Sequence, residues 1–409
     1  MTSSKRKAAV GRPARQSIDL TASTAALFRR DGPSGVTFRL VAEHAGVPFA
    51  GVRRHFGTKE EMLRHTVRRL ADETAAMLAA EAAWLGTEKL PPAALADALS
   101  VFLAQADLSA GGQSTTLLEL LLIALRTPTL RPEVQPVIDA LAGLWTPAAG
   151  DADLGWYLAE LAVGLLIASS GAGHLAEIDL LNAEVARRAL LGRLPNGAFW
   201  FERARRHAMA NPPELIIAIP SGAVATEIIR AAAAIFAAEG VDAVTYRNVA
   251  EQAGIPPSTV AYHFPTRASL VYAAHRQLAD ELYAHGEQLE SKSGGRYFSS
   301  DPAGYFRDMM LKANIAARIE SQLIGVRDPN CRPLAHYLRV VHPSRGSVGK
   351  PDSGIDFSLY FDAQVLNFWH FGCGLLQVCR SPPDELAEAL RRRFAFGLGR
   401  FDLGAFSRA

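Results

Sequence analysis

The twenty residues 37–56, TFRLVAEHAGVPFAGVRRHF, return 208 positions later at 245–264 as TYRNVAEQAGIPPSTVAYHF. The shift pairs Phe28 with Phe236, Gly32 with Gly240, Thr37 with Thr245 and Arg39 with Arg247. It also pairs Val41-Ala42-Glu43 with Val249-Ala250-Glu251, Gly46 with Gly254, Val52 with Val260, and His55-Phe56 with His263-Phe264. No gap is needed between Phe28 and Thr58. A chain that spells one small unit twice must fold it twice, and this excludes most single-domain architectures.

Each copy predicts helix, tight turn, helix. Thr37 and Thr245 can cap a helix by accepting from an orphaned backbone N–H. Val41 and Ala45, like Val249 and Ala253, stand four apart on one face. Gly46 and Gly254 fall where the chain must turn through the left-handed region. Val52 and Phe56 (Val260 and Phe264) then anchor a second short helix whose intervening residues face outward. This is a helix-turn-helix, with its second helix sized for the DNA major groove. Ahead of it, Leu20, Thr24, Leu27 and Phe28, matched by Ile228, Ala232, Ile235 and Phe236, give a supporting amphipathic helix. Behind it, Thr58 with Glu61 forms a capping box, and Thr266-Arg267 opens the equivalent helix in the second copy.

Charge separates the copies. Residues 1–70 hold fourteen Lys/Arg against five Asp/Glu, whereas residues 222–276 hold four of each. The net charge of +2 hides this asymmetry. A basic N-terminal unit is the footprint of a nucleic-acid contact, and the arm bearing Lys5, Arg6, Lys7, Arg12 and Arg15 is placed to reach phosphates or the minor groove. Cys331, Cys373 and Cys379 share no CxxC spacing, which argues against a zinc site or disulfide framework. The basic N-terminus has no apolar run behind it, and the apolar stretches at 116–125 and 154–170 contain Glu119 and Glu160. A soluble, cytoplasmic protein with no membrane partner is expected.

Residues 71–208 predict helices broken at Pro91-Pro92, Gly111-Gly112, 128–132 and 147–150, with no period-two alternation. The duplication persists here: Arg126-Thr-Pro-Thr-Leu-Arg-Pro132 echoes Arg327-Asp-Pro-Asn-Cys-Arg-Pro333 at an offset of 201, and is read as a shared interhelix turn. Segments 153–170 and 178–194 form a helix pair closing the first half, with 357–378 and 384–401 as its counterpart. The prolines of the linker 211–220 prevent a continuous helix, and its Leu-Ile-Ile-Ala-Ile run should pack on the surface it crosses.

Both copies resemble the DNA-binding domain of TetR-family transcriptional regulators. The pattern is carried by Phe28, Gly32, Thr37, Val41-Ala42, Ala45-Gly46-Val47, Val52, His55-Phe56 and Lys59. The second copy carries it in Phe236, Gly240, Thr245, Val249-Ala250, Ala253-Gly254-Ile255, Val260, His263-Phe264 and Arg267. The resemblance implies an all-α chain of two tandem units, each with a helix-turn-helix domain and a helical effector-binding and dimerisation domain. Since the last two helices of such units build a dimer interface, the expected architecture is an intramolecular pseudo-dimer. Its domains would be 1–70 (first head and arm), 71–208 (first regulatory domain), 209–278 (linker and second head) and 279–409 (second regulatory domain).

The outward residues of the reading helices are Phe49, Ala50, Gly51, Arg53 and Arg54 in one copy and Pro257, Ser258, Thr259, Ala261 and Tyr262 in the other. Both depart from the family at its usual Tyr, here Arg53 and Ala261. Thr37, Arg39, Lys59, Thr245, Arg247 and Arg267, at helix starts, are expected on the DNA backbone, whereas His55 and His263 are expected to pack or face water. The partner is a double-stranded operator with two different half-sites about one helical turn or a little more apart. A small-molecule effector is expected in the aromatic-rich second half, near Tyr305, Phe306, His336, Phe361, Asn367, Trp369 and His370. No HExxH, GxSxG, P-loop or dinucleotide fingerprint occurs, so no catalysis, metal or cofactor is expected. The favoured function is an effector-released repressor acting as a monomeric pseudo-dimer. The alternatives are a homodimer with a degenerate second head, and a helical small-molecule-binding protein with vestigial heads.

Overall fold

The computed structural model describes residues 19–109, 111–172, 176–192, 194, 197–213, 219–341 and 357–401, and every described regular element is helical. The arm residues Lys5, Arg6, Lys7, Arg12 and Arg15 and the Leu-Ile-Ile-Ala run of the linker lie outside the described residues. The chain divides into two compact units, 1–66 and 67–409.

The first unit holds α1 (Leu20–Asp31), α2 (Phe38–Ala45), α3 (Phe49–Phe56) and the start of α4 (Lys59–Leu85). Asp19 and Thr37 cap α1 and α2 through their side chains, and Gly46 ends α2 at φ 63°, ψ 33°. Thr58 accepts from the Glu61 N–H at 3.1 Å, while the Thr58 N–H goes to the Phe56 carbonyl, so only half of the expected capping box forms. Leu27, Phe28, Val36, Val41, Val52, Phe56 and Met62 fill the core. Ala42 is buried and Ala45 only partly so, which turns the inner face of α2 slightly from the expected one.

The second unit contains the rest. In the first half come α5 (Pro92–Ala104), α6 (Gln113–Arg126), α7 (Arg131–Ala149), α8 (Ala152–Ser170), α9 (Ala176–Leu191) and α10 (Phe199–Ala210). The second head follows as α11 (Ala223–Glu239), α12 (Tyr246–Ala253), α13 (Pro257–His263) and the start of α14 (Arg267–Lys292). Its core repeats the first at the 208 offset: Phe236, Val244, Val249, Val260, Phe264 and Leu270 are buried. After α14 come α15 (Tyr297–Ser300), α16 (Pro302–Lys312), α17 (Ile315–Arg327), α18 (Arg332–Val341), α19 (Phe357–Arg380) and α20 (Leu386–Leu398). The turns Pro128–Leu130 and Pro329–Cys331 occupy equivalent places, each opened by a proline that fixes the first turn and gives up a hydrogen bond the helix start does not need.

The two halves meet along α8 and α19, the most extensively packed helix pair among the described residues. Glycines let them approach: a Cβ on Gly164 would collide with the Phe368 carbonyl, and one on Gly372 with the Glu160 carbonyl. By length and composition α8 could cross a membrane, yet 78% of its apolar window is buried inside the molecule. Its apolarity is explained by its place at the centre of a helical core, with α5, α6, α7, α17, α18 and α19 around it.

Charges are exchanged across this interface. Arg188 on α9 grips Asp362 on α19 through two bonds of 2.5 and 2.7 Å. Arg393 on α20 donates to Glu160 on α8 at 2.9 and 3.2 Å and to the Asp153 carboxylate at 2.7 Å. Helices α9 and α20 thus each hand a guanidinium to a carboxylate of the other half, on α19 and α8 respectively.

Candidate nucleic-acid interface

In the first head, α2 and α3 are joined by three residues with Gly46 in the left-handed region, and Val52 and Phe56 hold α3 by its inner face. The opposite face carries Phe49, Ala50, Arg53 and Arg54, all exposed, with Gly51 half-buried. Phe49 is 50% exposed and meets Phe38 edge-on, ring centroids 6.0 Å apart, which fixes the start of the reading helix without hiding its ring. Two shallow hollows flank α3, one lined by Arg54 and His55, the other by Arg39 and Phe49. Arg39 is exposed and paired with Glu43 at 2.9 Å, one turn on. Lys59 is exposed at the start of α4.

The second head has the same backbone with a different surface. Gly254 turns at φ 67°, ψ 31°, and Thr245 caps α12 through the Asn248 N–H at 3.2 Å. Pro257, Ser258, Ala261 and Tyr262 are exposed, and Thr259 is half-buried. Tyr262 is 82% exposed, so an aromatic ring stands in water where the first head has Arg54. His55 is exposed beside Phe56, and His263 is half-buried beside Tyr262.

Arg267 is less free than its position suggests. Its Nε donates to the Val244 carbonyl at 3.1 Å and an Nη to the Val241 carbonyl at 2.6 Å, tying α14 to the turn between α11 and α12. Tyr246 adds a second tie, donating to the Phe264 carbonyl at 2.9 Å. Lys59 and Phe38 hold the same positions in the first head and lack the atoms for either bond in this form. Arg247 is exposed at the start of α12.

Among the described residues no group of His, Cys, Asp and Glu could hold a metal ion. The residues expected around an effector do not gather in one place. Tyr305, Phe306 and His370 belong to one aromatic cluster with Phe298 and Phe394. Phe361 packs on Phe201, His336 lies 3.6 Å from Glu177, and Trp369 is fully buried with its indole N–H on Glu160. Asn367 is half-buried on α19. Sequence reasoning missed the reach of Arg126 to Glu320 and the burial of Arg339 and Arg393, which no local pattern announces.

Two helix-turn-helix heads with solvent-facing reading helices, one of them strongly basic, define a DNA-binding regulator. The family profile described as bacterial regulatory proteins, tetR family, matches residues 20–66 and again 228–274. The two matches are offset by the same 208 positions as the sequence repeat. Each head is thus TetR-like, and the chain carries two such DNA-binding units in tandem. A comparison with curated proteins finds no match.

Proposed function

We propose that this regulator is a repressor reading an asymmetric operator with two non-identical heads, and that a small molecule bound in the second half releases it. One observation carries the reading: on matched scaffolds, the exposed Arg53 and Arg54 of the first head are replaced by the exposed Ala261 and Tyr262 of the second. A homodimer reads a palindrome because its halves are identical; heads that differ at the reading surface within one chain call for two different half-sites. Arg54 suits a bidentate contact to guanine and Arg53 a phosphate, whereas Tyr262 and Ser258 offer apolar contact and single hydrogen bonds. The arm residues Lys5, Arg6, Lys7 and Arg12 would add phosphate or minor-groove contacts. Selecting bound fragments from random DNA tests this. Two unlike half-sites are expected, and recovery of a perfect palindrome overturns it.

A second reading is favoured by Arg267, which is drawn into its own head's backbone, and by the zero charge balance of residues 222–276. In it the second head is degenerate and two chains pair to supply two basic heads. Gel shifts separate the two: loss of binding with both Arg54→Ala and Tyr262→Ala supports two working heads, and loss with Arg54→Ala alone supports the second reading.

A further inference from the structure

We propose that the first head selects thymine by its C5 methyl group, packed against the Phe49 ring at the start of α3, and that 5-methylcytosine serves in the same place. Such selection rests on the reading above, in which this head contacts the operator.

From Ala45 to Val52 no side chain carries a nitrogen or oxygen atom, and Arg53 and Arg54 are the next polar groups. The solvent-facing start of α3 is Phe49 and Ala50, with Gly51 half-buried after them. In a helix-turn-helix it is the N-terminal part of the second helix that meets base edges. Side chains of this kind can make no hydrogen bond there. In the major groove every base offers donors or acceptors, but thymine alone adds a methyl group. A ring and a methyl at the helix start therefore have one match among the four bases. In 5-methylcytosine the same methyl stands at the same ring position, and no side chain here can object to the exchanged polar groups.

The ring is already placed to receive it. Phe49 is 50% exposed, yet it meets the half-buried Phe38 edge-on, ring centroids 6.0 Å apart. A ring held before binding loses less freedom on contact than a loose side chain. Phe49 lies one turn before Arg53, and Ala50 one turn before Arg54. Four residues of helix span about 6 Å, less than two nucleotide steps of about 3.4 Å. The thymine should thus fall within about two base pairs of the guanine assigned to Arg54. Two exposed guanidinium groups beside the ring also suit a polyanion that carries apolar groups in its groove.

The second head lacks the device. At the 208 offset Phe49, Ala50 and Gly51 become Pro257, Ser258 and Thr259. Phe38 becomes Tyr246, whose hydroxyl is spent on the Phe264 carbonyl. Ser258 is exposed, and a hydroxyl can bond to several base edges. Dependence on the methyl group is therefore confined to the first half-site.

The test uses the full chain and an operator selected from random DNA, with affinity read by fluorescence anisotropy. Each thymine of the first half-site is replaced in turn by deoxyuridine, which removes only the methyl, and by cytosine or 5-methylcytosine opposite guanine. At one thymine near the preferred guanine, deoxyuridine should weaken binding about three- to tenfold. Cytosine should weaken it at least as much, and 5-methylcytosine should restore it. Phe49→Ala should erase the deoxyuridine penalty and Phe49→Leu keep part of it, with far-UV circular dichroism reporting the fold. If Phe49→Ala does not fold, the base substitutions against the unaltered chain decide. No thymine selected, no deoxyuridine penalty in the first half-site, 5-methylcytosine as poor as cytosine, or a penalty that persists in folded Phe49→Ala overturns the proposal. A first half-site that shows base preference without methyl dependence leaves the two-head reading standing. One that shows no base preference at all overturns both.

Discussion

Gly164 and Gly372 face each other across the α8–α19 contact, 208 positions apart in the chain, and each sits against the carbonyl of a residue that is itself paired by that shift: Phe368 for one, Glu160 for the other. This reciprocity is what a two-fold axis imposes on a dimer interface, here retained inside one chain. Any side chain at either position would strike backbone rather than a yielding side chain. Gly164→Ala and Gly372→Ala should each destabilise the chain by about 1–3 kcal/mol, the usual range for overpacking. Urea unfolding monitored by circular dichroism measures it; a neutral Gly372→Ala would mean the helices do not meet as closely as described.

Glu160 shows how the symmetry has been broken chemically. Its carboxylate is fully buried and accepts from Trp369 at 2.9 Å, Gln377 at 3.1 Å and Arg393, all from the other half. Phe368, its partner by the shift, is an apolar residue under Arg339, 5.3 Å from the ring centroid. Removing one member of a buried pair leaves the other uncompensated, at a cost of roughly 3–5 kcal/mol. Arg393→Met should show this loss, and Arg393→Met with Glu160→Leu should lose less than the two single losses added, although the Trp369 and Gln377 donors are then left without Glu160. A double-mutant cycle on unfolding free energies is the measurement, and additive losses would contradict the pairing.

The heads were legible because helix-turn-helix folding is local. The Thr caps, the left-handed Gly46 and Gly254 and the buried Val41, Val52 and Phe56 all act within about twenty residues of one another. The helix pair closing each half also followed from apolar runs and prolines, to within a few residues at its ends. The effector residues did not follow, because burial of an aromatic does not say which helix it faces. Trp369 looks like a pocket wall in sequence and is a bonded interface residue in space. The linker's Leu-Ile-Ile-Ala run and the basic arm lie outside the described residues. Arg126 was read as part of a turn, and it is one, but its reach across 194 positions to Glu320 has no local signature.

That reach has a consequence for DNA reading. Arg126 at the end of α6 donates to both Glu320 oxygens at 3.0 and 3.1 Å and to the Phe236 and Ala237 carbonyls at 3.1 and 2.8 Å. A first-half side chain thereby caps α11 of the second head. Hydrogen bonds to charged groups are worth about 1.5–3 kcal/mol, so Arg126→Ala should loosen the second head alone. Hydrogen exchange should rise in α11 and the turn after it while 20–66 is unchanged. Faster exchange in both heads would refute a latch confined to the second.

Two buried histidines set the acid response. His275 and His370 have pKa values drawn from 6.5 to about 3, by burial first and then by the charge of Arg318, with Arg276 adding to it at His275. Folded, both are neutral; unfolded, both take a proton below about pH 6.5. The unfolded chain therefore binds more protons as pH falls, and stability is lost from about pH 6.5 downward. The slope should be about 1.4 kcal/mol per pH unit for each histidine. Between pH 6.5 and the carboxylate range, His370→Gln should lower the slope measured by denaturant unfolding by about 1.4 kcal/mol per pH unit. An unchanged slope would mean that His370 takes up its proton in the folded state.

The inequality of the heads is open to a salt titration. Each phosphate neutralised on duplex DNA adds roughly 0.9 to the slope of log affinity against log salt. Arg53 and Arg54 are exposed on the first reading helix, while Ala261 and Tyr262 at the matching places carry no charge. Arg53→Ala should therefore weaken binding to every sequence and lower the slope by about 1. Tyr262→Ala should leave the slope unchanged and relax selectivity only in the second half-site. Fluorescence anisotropy on a selected operator at several salt concentrations reads both quantities. A slope that falls equally in the two variants would show that the heads divide the phosphate contacts evenly, against the charge counted along the chain.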